Sequence, residues 1–190
     1  MFKGRFQDLA ESFSCIESTH LGQIISEDDA FDTVTQMLAK VIKERGIVYV
    51  IGNGGSAGIA SHFSIDLIKT LKIPSQTLFD SNLMTCLAND WGYKNVFSYP
   101  LSHLLKPHDL LVAISSSGKS SNILEAVKIT RSLYVPVITL SGFSSENPLR
   151  TLGDLNFWVD RPDYGLVEMT HFILLHTIID LWSKDKVCPC

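Results

Sequence analysis

The sequence predicts an α/β fold in which a five-stranded parallel sheet is sandwiched by helices. Short runs of β-branched and other apolar residues, typical of strands covered on both faces, lie at residues 47–51, 109–114, 137–140 and 155–159. Helical patterns separate these runs, and such alternation is typical of βαβ units. At 190 residues, of which 45% are hydrophobic, the whole chain, residues 1–190, can form one domain with a core of its own.

Two helices are predicted ahead of the sheet. Residues 3–18 are weakly helical, whereas residues 27–44 carry apolar side chains at helical spacing. Ser26 provides a start signal for the second helix, and Gly46 provides a stop signal. Since no predicted strand adjoins this pair in sequence, its apolar faces must cover the sheet, pair with each other or meet another subunit. We favour a role in oligomerisation, which divides the chain into an N-terminal helical part, 1–45, and an α/β core, 46–190.

The elements of the core follow in order from residue 47. The first strand ends at Gly52 in a glycine-rich loop, and Pro74 ends the helix that follows the loop. The other predicted elements are the helix at 57–71, a short strand at 76–79, a helix at 82–88, a helix at 122–133 and a closing helix at 165–182.

Composition and charge argue against several classes of function. A net charge of −4 and a pI near 5.8, without a long basic run, argue against nucleic acid binding, so we expect small molecules and copies of the chain as partners. The cysteines are few, and neither a signal peptide nor an apolar span of about eighteen residues is evident. These features predict a cytoplasmic protein without a membrane segment. The tail Cys188-Pro189-Cys190 would need further fixed ligands to bind metal, so we interpret it as frayed.

Two loops that follow predicted strands indicate an anion-binding site. Residues 52–56 read Gly-Asn-Gly-Gly-Ser, in which the glycines allow close approach of a ligand and Ser56 can cap the next helix. Residues 115–120 include four serines. In an open α/β sheet both loops lie at the carboxyl ends of strands, where hydroxyl groups and the N–H groups of helix N-termini suit a phosphate. The alternative is that each loop is a tight turn without a ligand.

Two common nucleotide-binding motifs fit less well. The first loop matches a relaxed dinucleotide fingerprint, but Asp80 is a poor match for the acidic residue expected about twenty residues later. A dinucleotide site also gives no reason for a second, serine-rich loop. Gly118-Lys119-Ser120 is similar to the end of a P-loop, yet Ala113 stands where the first glycine is required. An oxidoreductase is therefore a distant alternative, and no nucleoside triphosphate site is predicted.

Several motifs together resemble one known family. They are Gly52-Asn53-Gly54-Gly55-Ser56 followed by His62, the pair Asn89-Asp90 before an aromatic residue and glycine, the loop at 115–122, and a last helix with Glu168, His171 and His176. In these motifs the chain resembles the sugar isomerase (SIS) domain family, and more narrowly the phosphoheptose isomerases. The resemblance covers nearly the whole chain and implies a flavodoxin-like sheet of five parallel strands.

The same resemblance implies an activity, a cofactor and an assembly. The activity is conversion of sedoheptulose 7-phosphate to D-glycero-D-manno-heptose 7-phosphate, which supplies heptose for bacterial lipopolysaccharide or capsule. The cofactor is a divalent metal ion, zinc. The assembly is a homotetramer with active sites between subunits.

Carried over residue by residue, the resemblance implies two groups of site residues. The phosphosugar would be bound by Asn53, Gly54, Gly55, Ser56, Asn89, Asp90, Ser115, Ser116, Ser117, Ser120 and Glu168. The metal ligands would be His62, Asp66, Glu168 and His176, and the catalytic groups Asp66, Glu168 and His176. Asp66 stands where the family usually has glutamate, and Glu168 where it has glutamine. The Asp and Arg that usually precede that position are missing.

These residue types are sufficient for a proton-transfer isomerase. Moving a carbonyl between C1 and C2 requires one group that takes a proton, one that supplies it, and a group that stabilises the enediolate oxygen. His62 and Asp66 are one helical turn apart and can hold one ion together. Glu168 and His176 are separated by about 12 Å of helical rise, so only long splayed side chains, a bent helix or different subunits could bring them to one site. Asp66 is shorter than glutamate and can bind metal without reaching the substrate, which leaves Glu168 as a candidate base.

The other histidines carry weaker signals. His171 has metal-ligand spacing with Glu168, but the pair could equally form an intrahelical hydrogen bond. We interpret His20, His103 and His108 as surface residues because no partner pattern surrounds them.

A non-catalytic function is the main alternative to an isomerase. In that hypothesis the same loops bind a sugar phosphate, or the tetramer presents a surface to a protein partner, as the initiator-associating SIS proteins do. This hypothesis predicts that the carboxylates of the site have been replaced while the fold is intact. The departures from the family pattern at Asp66 and Glu168 are compatible with it. Both substitutes are nevertheless good metal ligands and bases, so we favour altered chemistry over lost activity.

Overall fold

A computed structural model describes residues 2–186 of the protein, and the tail Cys188-Pro189-Cys190 lies outside the described residues. Its helices are α1 (Phe2–Phe13), α2 (Glu27–Glu44), α3 (Gly55–Lys69), α4 (Ser81–Trp91), α5 (Ser98–Leu104), α6 (Ser121–Ser132) and α7 (Tyr164–Lys186). Its strands are β1 (Ile16–His20), β2 (Gln23–Ile25), β3 (Val48–Gly52), β4 (Ser75–Thr77), β5 (Leu110–Ser115), β6 (Val137–Gly142) and β7 (Leu155–Val159). Within this part of the chain, no helix is both long and apolar enough to cross a membrane.

The strands form one sheet in the order β2-β1-β7-β6-β5-β3-β4. The five strands from β7 to β4 are parallel, which confirms the predicted α/β fold. Counted among themselves, these five have the flavodoxin-like order, in which the direction of the connections reverses between β3 and β5. A crevice is expected beyond the carboxyl ends of the strands at this reversal, and the two predicted loops follow β3 and β5.

The sheet has two more strands than predicted, both from the region between the first two helices. The predicted helix over residues 3–18 is shorter than expected, because α1 ends at Phe13 and the chain then forms a hairpin. In this hairpin β1 pairs antiparallel with β7 and β2 pairs antiparallel with β1. Leu21 and Gly22, both with positive φ, form the two-residue turn. The expectation that no strand adjoins the N-terminal helices was therefore wrong, since β1 extends the sheet at the β7 edge.

Side chains of the central strands alternate between two cores, one on each face of the sheet. On one face, Val48 and Val50 pack with apolar residues of α2, α3 and α7, including Leu38 and Leu67. On the other face, the β3 residues Tyr49 and Ile51 pack with residues of α4, α5 and α6. These strands are buried throughout, as the continuous apolar runs in the sequence predict.

Side-chain caps mark the starts of α2 and α4. The Ser26 side chain accepts a hydrogen bond from the Asp29 backbone N–H at the start of α2, and Asp80 does the same for Leu83 at the start of α4. The sequence identified the Ser26 cap correctly. The helix stops next to Gly46, as predicted, but the residue in the left-handed conformation at its end is Arg45 and not the glycine. A side chain at Gly46 would instead collide with the backbone of His108.

Candidate active site

The two predicted loops meet in one pocket at the reversal between β3 and β5, which we call the loop pocket. It has a volume of about 230 Å³. Its lining residues are Asn53, Gly54, Gly55, Ser56, Ser115, Ser116, Ser117, Ser120, Tyr164 and Glu168. The structure therefore brings together the residues of both loops that the sequence singled out, and adds Tyr164 from the start of α7.

The loop pocket lies at the start of two helices that lack side-chain caps. Gly54 is the N-cap of α3 and Ser120 is the N-cap of α6, and neither provides a side-chain hydrogen bond to its helix. The expected capping role of Ser56 was wrong, because Ser56 is inside the first turn of α3. Uncapped N–H groups and the positive ends of both helix dipoles thus surround the pocket, an arrangement that favours an anion.

Hydroxyl groups of the second loop add further donors. The Ser115 hydroxyl donates to the Ser120 hydroxyl at 3.1 Å, and the Ser117 hydroxyl accepts from the Lys119 backbone N–H at 3.2 Å. These two hydrogen bonds fix the shape of the loop. The Ser116 hydroxyl is buried and has no hydrogen-bond partner among the described residues. A buried hydroxyl without a partner is costly, and a bound ligand would relieve that cost.

An amide pair ties the first loop to α6. Asn53 and Asn122 exchange two hydrogen bonds of 2.9 Å through their side chains. The Tyr93 hydroxyl also donates to the Asn53 side-chain oxygen at 3.2 Å. Asn53 therefore holds the two loops together, a role that sequence reasoning missed. Its partners could not be found from spacing, since they depend on how α6 and the turn after α4 approach β3.

A second group of side chains lies on α3 and α7, and we call it the His–Asp–His cluster: His62, Asp66 and His176. Their ligand atoms all lie within 4.8 Å of one another. One carboxylate oxygen, Asp66 Oδ2, lies 3.1 Å from His62 Nε2 and 3.1 Å from His176 Nδ1. His62 and Asp66 lie on one turn of α3, as their i, i+4 spacing predicts, and His176 approaches them from the middle of α7.

The donor set of the cluster suits a divalent metal ion. Two imidazole nitrogens and one carboxylate oxygen are a common set for zinc in catalytic sites, where a further position is left for water or substrate. The exposed fractions of the His62, Asp66 and His176 side chains are 47%, 14% and 45%, so the cluster is open to solvent. His176 also approaches Asp180, whose Oδ2 lies 3.8 Å from Nε2.

Glu168 lies in the loop pocket and is not a member of the His–Asp–His cluster. A Cβ atom added to Gly55 would lie 2.5 Å from the Glu168 carboxyl carbon. The carboxylate thus packs against the first turn of α3, where the helix dipole stabilises its negative charge. Of the four expected metal ligands, the structure brings three together and places the fourth in the loop pocket.

Known proteins with similar sequences identify the family of the chain. The sequence profile of the SIS domain matches residues 18–142. A phosphoheptose isomerase from Campylobacter concisus is 36% identical over 155 residues, which is 78% of this chain and 82% of that protein. The chain belongs to the phosphoheptose isomerases of the SIS domain family. It is therefore an aldose–ketose isomerase by family.

Solved structures of phosphoheptose isomerases have the same fold. The Francisella tularensis structure superposes with a TM-score of 0.80 at 26% identity, covering 96% of this chain and 94% of that one. The Neisseria gonorrhoeae structure gives a TM-score of 0.75 at 29% identity, covering 80% and 85% of the two chains.

Asn89 and Asp90, which the family resemblance assigns to the phosphosugar, do not line the loop pocket. Both are exposed near the end of α4, and the Asn89 side chain donates to Asp90 at 2.7 Å. Asp90 also accepts a hydrogen bond from Cys86 at 3.5 Å. This bond and the carboxylate charge raise the pKa of the Cys86 thiol.

His171 is the family-motif histidine that lies away from both groups. It is fully buried, and its Nε2 lies 3.0 Å from the backbone oxygen of Ser141 on β6. Burial lowers its pKa to about 4, because charging an imidazole away from water is unfavourable. His171 is therefore neutral at physiological pH. It is not among the clustered metal-ligating side chains, and its hydrogen-bond partner is the sheet instead of Glu168.

Proposed function

We propose that the protein interconverts sedoheptulose 7-phosphate and D-glycero-D-manno-heptose 7-phosphate in the cytoplasm. In this proposal it supplies heptose for bacterial lipopolysaccharide or capsule. The observation that carries the proposal is a phosphate-type pocket at two uncapped helix N-termini, which shares helices α3 and α7 with the His–Asp–His cluster. Membership of the phosphoheptose isomerases supports the choice of substrate.

The loop pocket binds the phosphate end of the sugar in this proposal. N–H groups at the starts of α3 and α6 and the hydroxyls of Ser115, Ser116, Ser117 and Ser120 would meet the phosphate oxygens. No cation is required, because helix dipoles and neutral donors stabilise the charge. Asn53 would hold the two loops at a fixed separation.

His62, Asp66 and His176 would hold the divalent ion, zinc in our proposal. When bound, such an ion polarises the sugar carbonyl and stabilises the negative oxygen that develops during isomerisation. Glu168 would complete the ligand set only if its side chain turned from Gly55 towards the cluster. In its present position Glu168 is better suited to contact the sugar.

Proton transfer between C1 and C2 is assigned to Glu168 and His176. Glu168 is half-buried and lies on α7 between Tyr164 of the loop pocket and His176 of the cluster, so its carboxylate could take the proton from a sugar carbon held between them. Asp66 is engaged by two imidazoles at 3.1 Å, which makes it a better ligand than base. His176 is the candidate acid that returns the proton. A base at Asp66 is the alternative assignment.

The assembly we propose is a homotetramer in which α1 and α3 form contacts. Phe2 and Phe6 of α1 are 80% and 67% exposed, and Ile65 and Ile68 of α3 are 58% and 45% exposed. Exposed apolar side chains of this size are typical of surfaces that another subunit covers. Because Ile65 lies beside Asp66, a contact there would place the site near a subunit boundary.

The proposed function is tested by assaying the purified protein with sedoheptulose 7-phosphate. We expect formation of the heptose 7-phosphate, loss of turnover after treatment with a chelator, and recovery on addition of zinc. Unphosphorylated sedoheptulose is the matched control, and we expect little turnover with it. Binding of the phosphosugar without conversion, with or without zinc, would favour the non-catalytic alternative and contradict the isomerase.

A further inference from the structure

One row of side chains along α7 connects the loop pocket to the His–Asp–His cluster. The row consists of Tyr164, Glu168, Phe172 and His176, which are spaced by four residues and therefore share one face of the helix. Tyr164 and Glu168 line the pocket, and His176 belongs to the cluster. Phe172 lies between them. Its ring stacks on His176 with centroids 6.2 Å apart and contacts His62 at 4.8 Å.

Because both parts of the site share this row, the position of α7 against the sheet controls them together. A shift or rotation of the helix would move Glu168 relative to Gly55 and His176 relative to Asp66 at the same time. Catalytic geometry is sensitive to such changes, since a misplacement of about 1 Å can reduce a rate about 100-fold. The contacts that fix α7 on the sheet therefore affect catalysis as well as stability.

An adjacent face of α7 docks on the end of β6. A Cβ atom added to Gly142 would lie 2.6 Å from a methyl group of Val167, so the helix packs directly on the strand at that point. One turn further along α7, His171 Nε2 lies 3.0 Å from the Ser141 oxygen. Val167 and His171 thus contact consecutive residues of β6.

The tautomer of His171 follows from its contact with Ser141. A carbonyl oxygen can only accept, so Nε2 carries the hydrogen and donates it to Ser141. The imidazole has no exposed surface, which prevents water from replacing the bond. Its other nitrogen, Nδ1, is buried without a partner among the described residues. A polar side chain therefore stands at a position where an apolar residue would avoid that cost.

We propose that His171 is a positioning residue for the isomerase site. Its hydrogen bond to Ser141 fixes the depth and rotation of α7, and so holds Glu168 in the loop pocket and His176 in the cluster. His171 contacts neither the sugar nor the metal. This inference rests on the proposed function for its kinetic consequence, but the position of α7 can be measured independently.

The test compares three variants of the full-length protein. His171→Leu removes the donor, and we expect kcat to fall about 100-fold. His171→Gln places an amide N–H near the Nε2 position, and we expect it to restore most of the lost kcat. Ile179→Ala is the matched control. Ile179 is buried on the same helix but belongs neither to the row nor to the contact with β6, so its loss should lower thermal stability with little change in kcat.

Crystal structures of the wild type and His171→Leu provide the second readout. We expect the Glu168 and His176 side chains to move by more than about 0.5 Å relative to Gly55 and Asp66, the tolerance of a preorganised site. Wild-type kcat in His171→Leu, or an equal loss of kcat in Ile179→Ala, would overturn the inference. If the wild type itself shows no turnover, the proposed function fails. The inference is then decided by the structures, and an unmoved row would refute it.

Discussion

Asp66 and His176 lie 110 residues apart in the chain, yet Asp66 Oδ2 lies 3.1 Å from His176 Nδ1. The same oxygen lies 3.1 Å from His62 Nε2. A single carboxylate therefore holds two imidazoles from two helices, and α3 and α7 are joined at the point where the chemistry is expected. Loss of this carboxylate should separate the imidazoles as well as remove a metal ligand.

We expect Asp66→Ala and His176→Ala each to lower turnover about 100-fold or more, the loss typical of a missing acid–base group or its support. Initial rates with sedoheptulose 7-phosphate measure the effect, and metal content after dialysis shows whether the ion is retained. Asp32→Ala is a suitable control, because Asp32 is an exposed carboxylate on α2. Unchanged rates in both site variants would contradict the mechanism.

Removing hydroxyl groups from the second loop should weaken binding of the phosphorylated sugar. A hydrogen bond to a charged group is worth about 1.5–3 kcal/mol, so Ser116→Ala and Ser117→Ala should each raise Kd by about 10-fold or more. Calorimetric titration measures the affinity. Ser132→Ala, at the opposite end of α6, should leave it unchanged. Equal affinities in all three variants would show that the phosphate lies elsewhere.

Gly55 and Gly58 offer a matched pair on α3 for testing the position of Glu168. An added methyl group at Gly55 meets the Glu168 carboxylate, whereas nothing lies within 4 Å of one at Gly58. Gly55→Ala should therefore displace Glu168 and reduce turnover. Gly58→Ala should keep turnover and stabilise the helix by about 1 kcal/mol. Thermal unfolding and initial rates give both quantities, and equal turnover in the two variants would mean that Glu168 is not required beside Gly55.

The parts of the site that follow from local sequence were predictable. Glycines and serines directly after buried strands marked both loops, and the i, i+4 spacing marked His62 and Asp66. The roles of Asn122 and Tyr93 were not predictable, because they depend on tertiary contacts with Asn53. The capping role expected for Ser56 failed because Gly54, two residues earlier, is the N-cap of α3.

The hairpin at the sheet edge was missed for a local reason. β1 is short and mostly polar, so it lacks the continuous apolar run that marked the central strands. Leu21 in its turn has a φ of 50°. Leucine rarely adopts a positive φ, so the sequence does not indicate a turn at this position. The position of Glu168 was equally undetermined, because helical spacing from His176 allowed more than one side-chain direction.

Acid should destabilise the protein through His171. Its pKa is lowered from 6.5 to about 4 in the folded state, so below pH 6.5 the unfolded chain binds more protons than the folded one. The stabilising contribution of the neutral imidazole is complete above pH 6.5 and decreases as pH falls, until it is lost near pH 4. The difference corresponds to about 3 kcal/mol of unfolding free energy.

His171→Gln isolates this contribution, because glutamine can donate to Ser141 and does not titrate. We expect the free energy of unfolding, measured by urea denaturation between pH 7 and pH 4, to fall less steeply for His171→Gln than for the wild type. His20→Gln is the control, since His20 is a histidine that is not buried. If the free energy of unfolding fell equally steeply with pH in the wild type and His171→Gln, protonation of His171 would not be what destabilises the protein in acid.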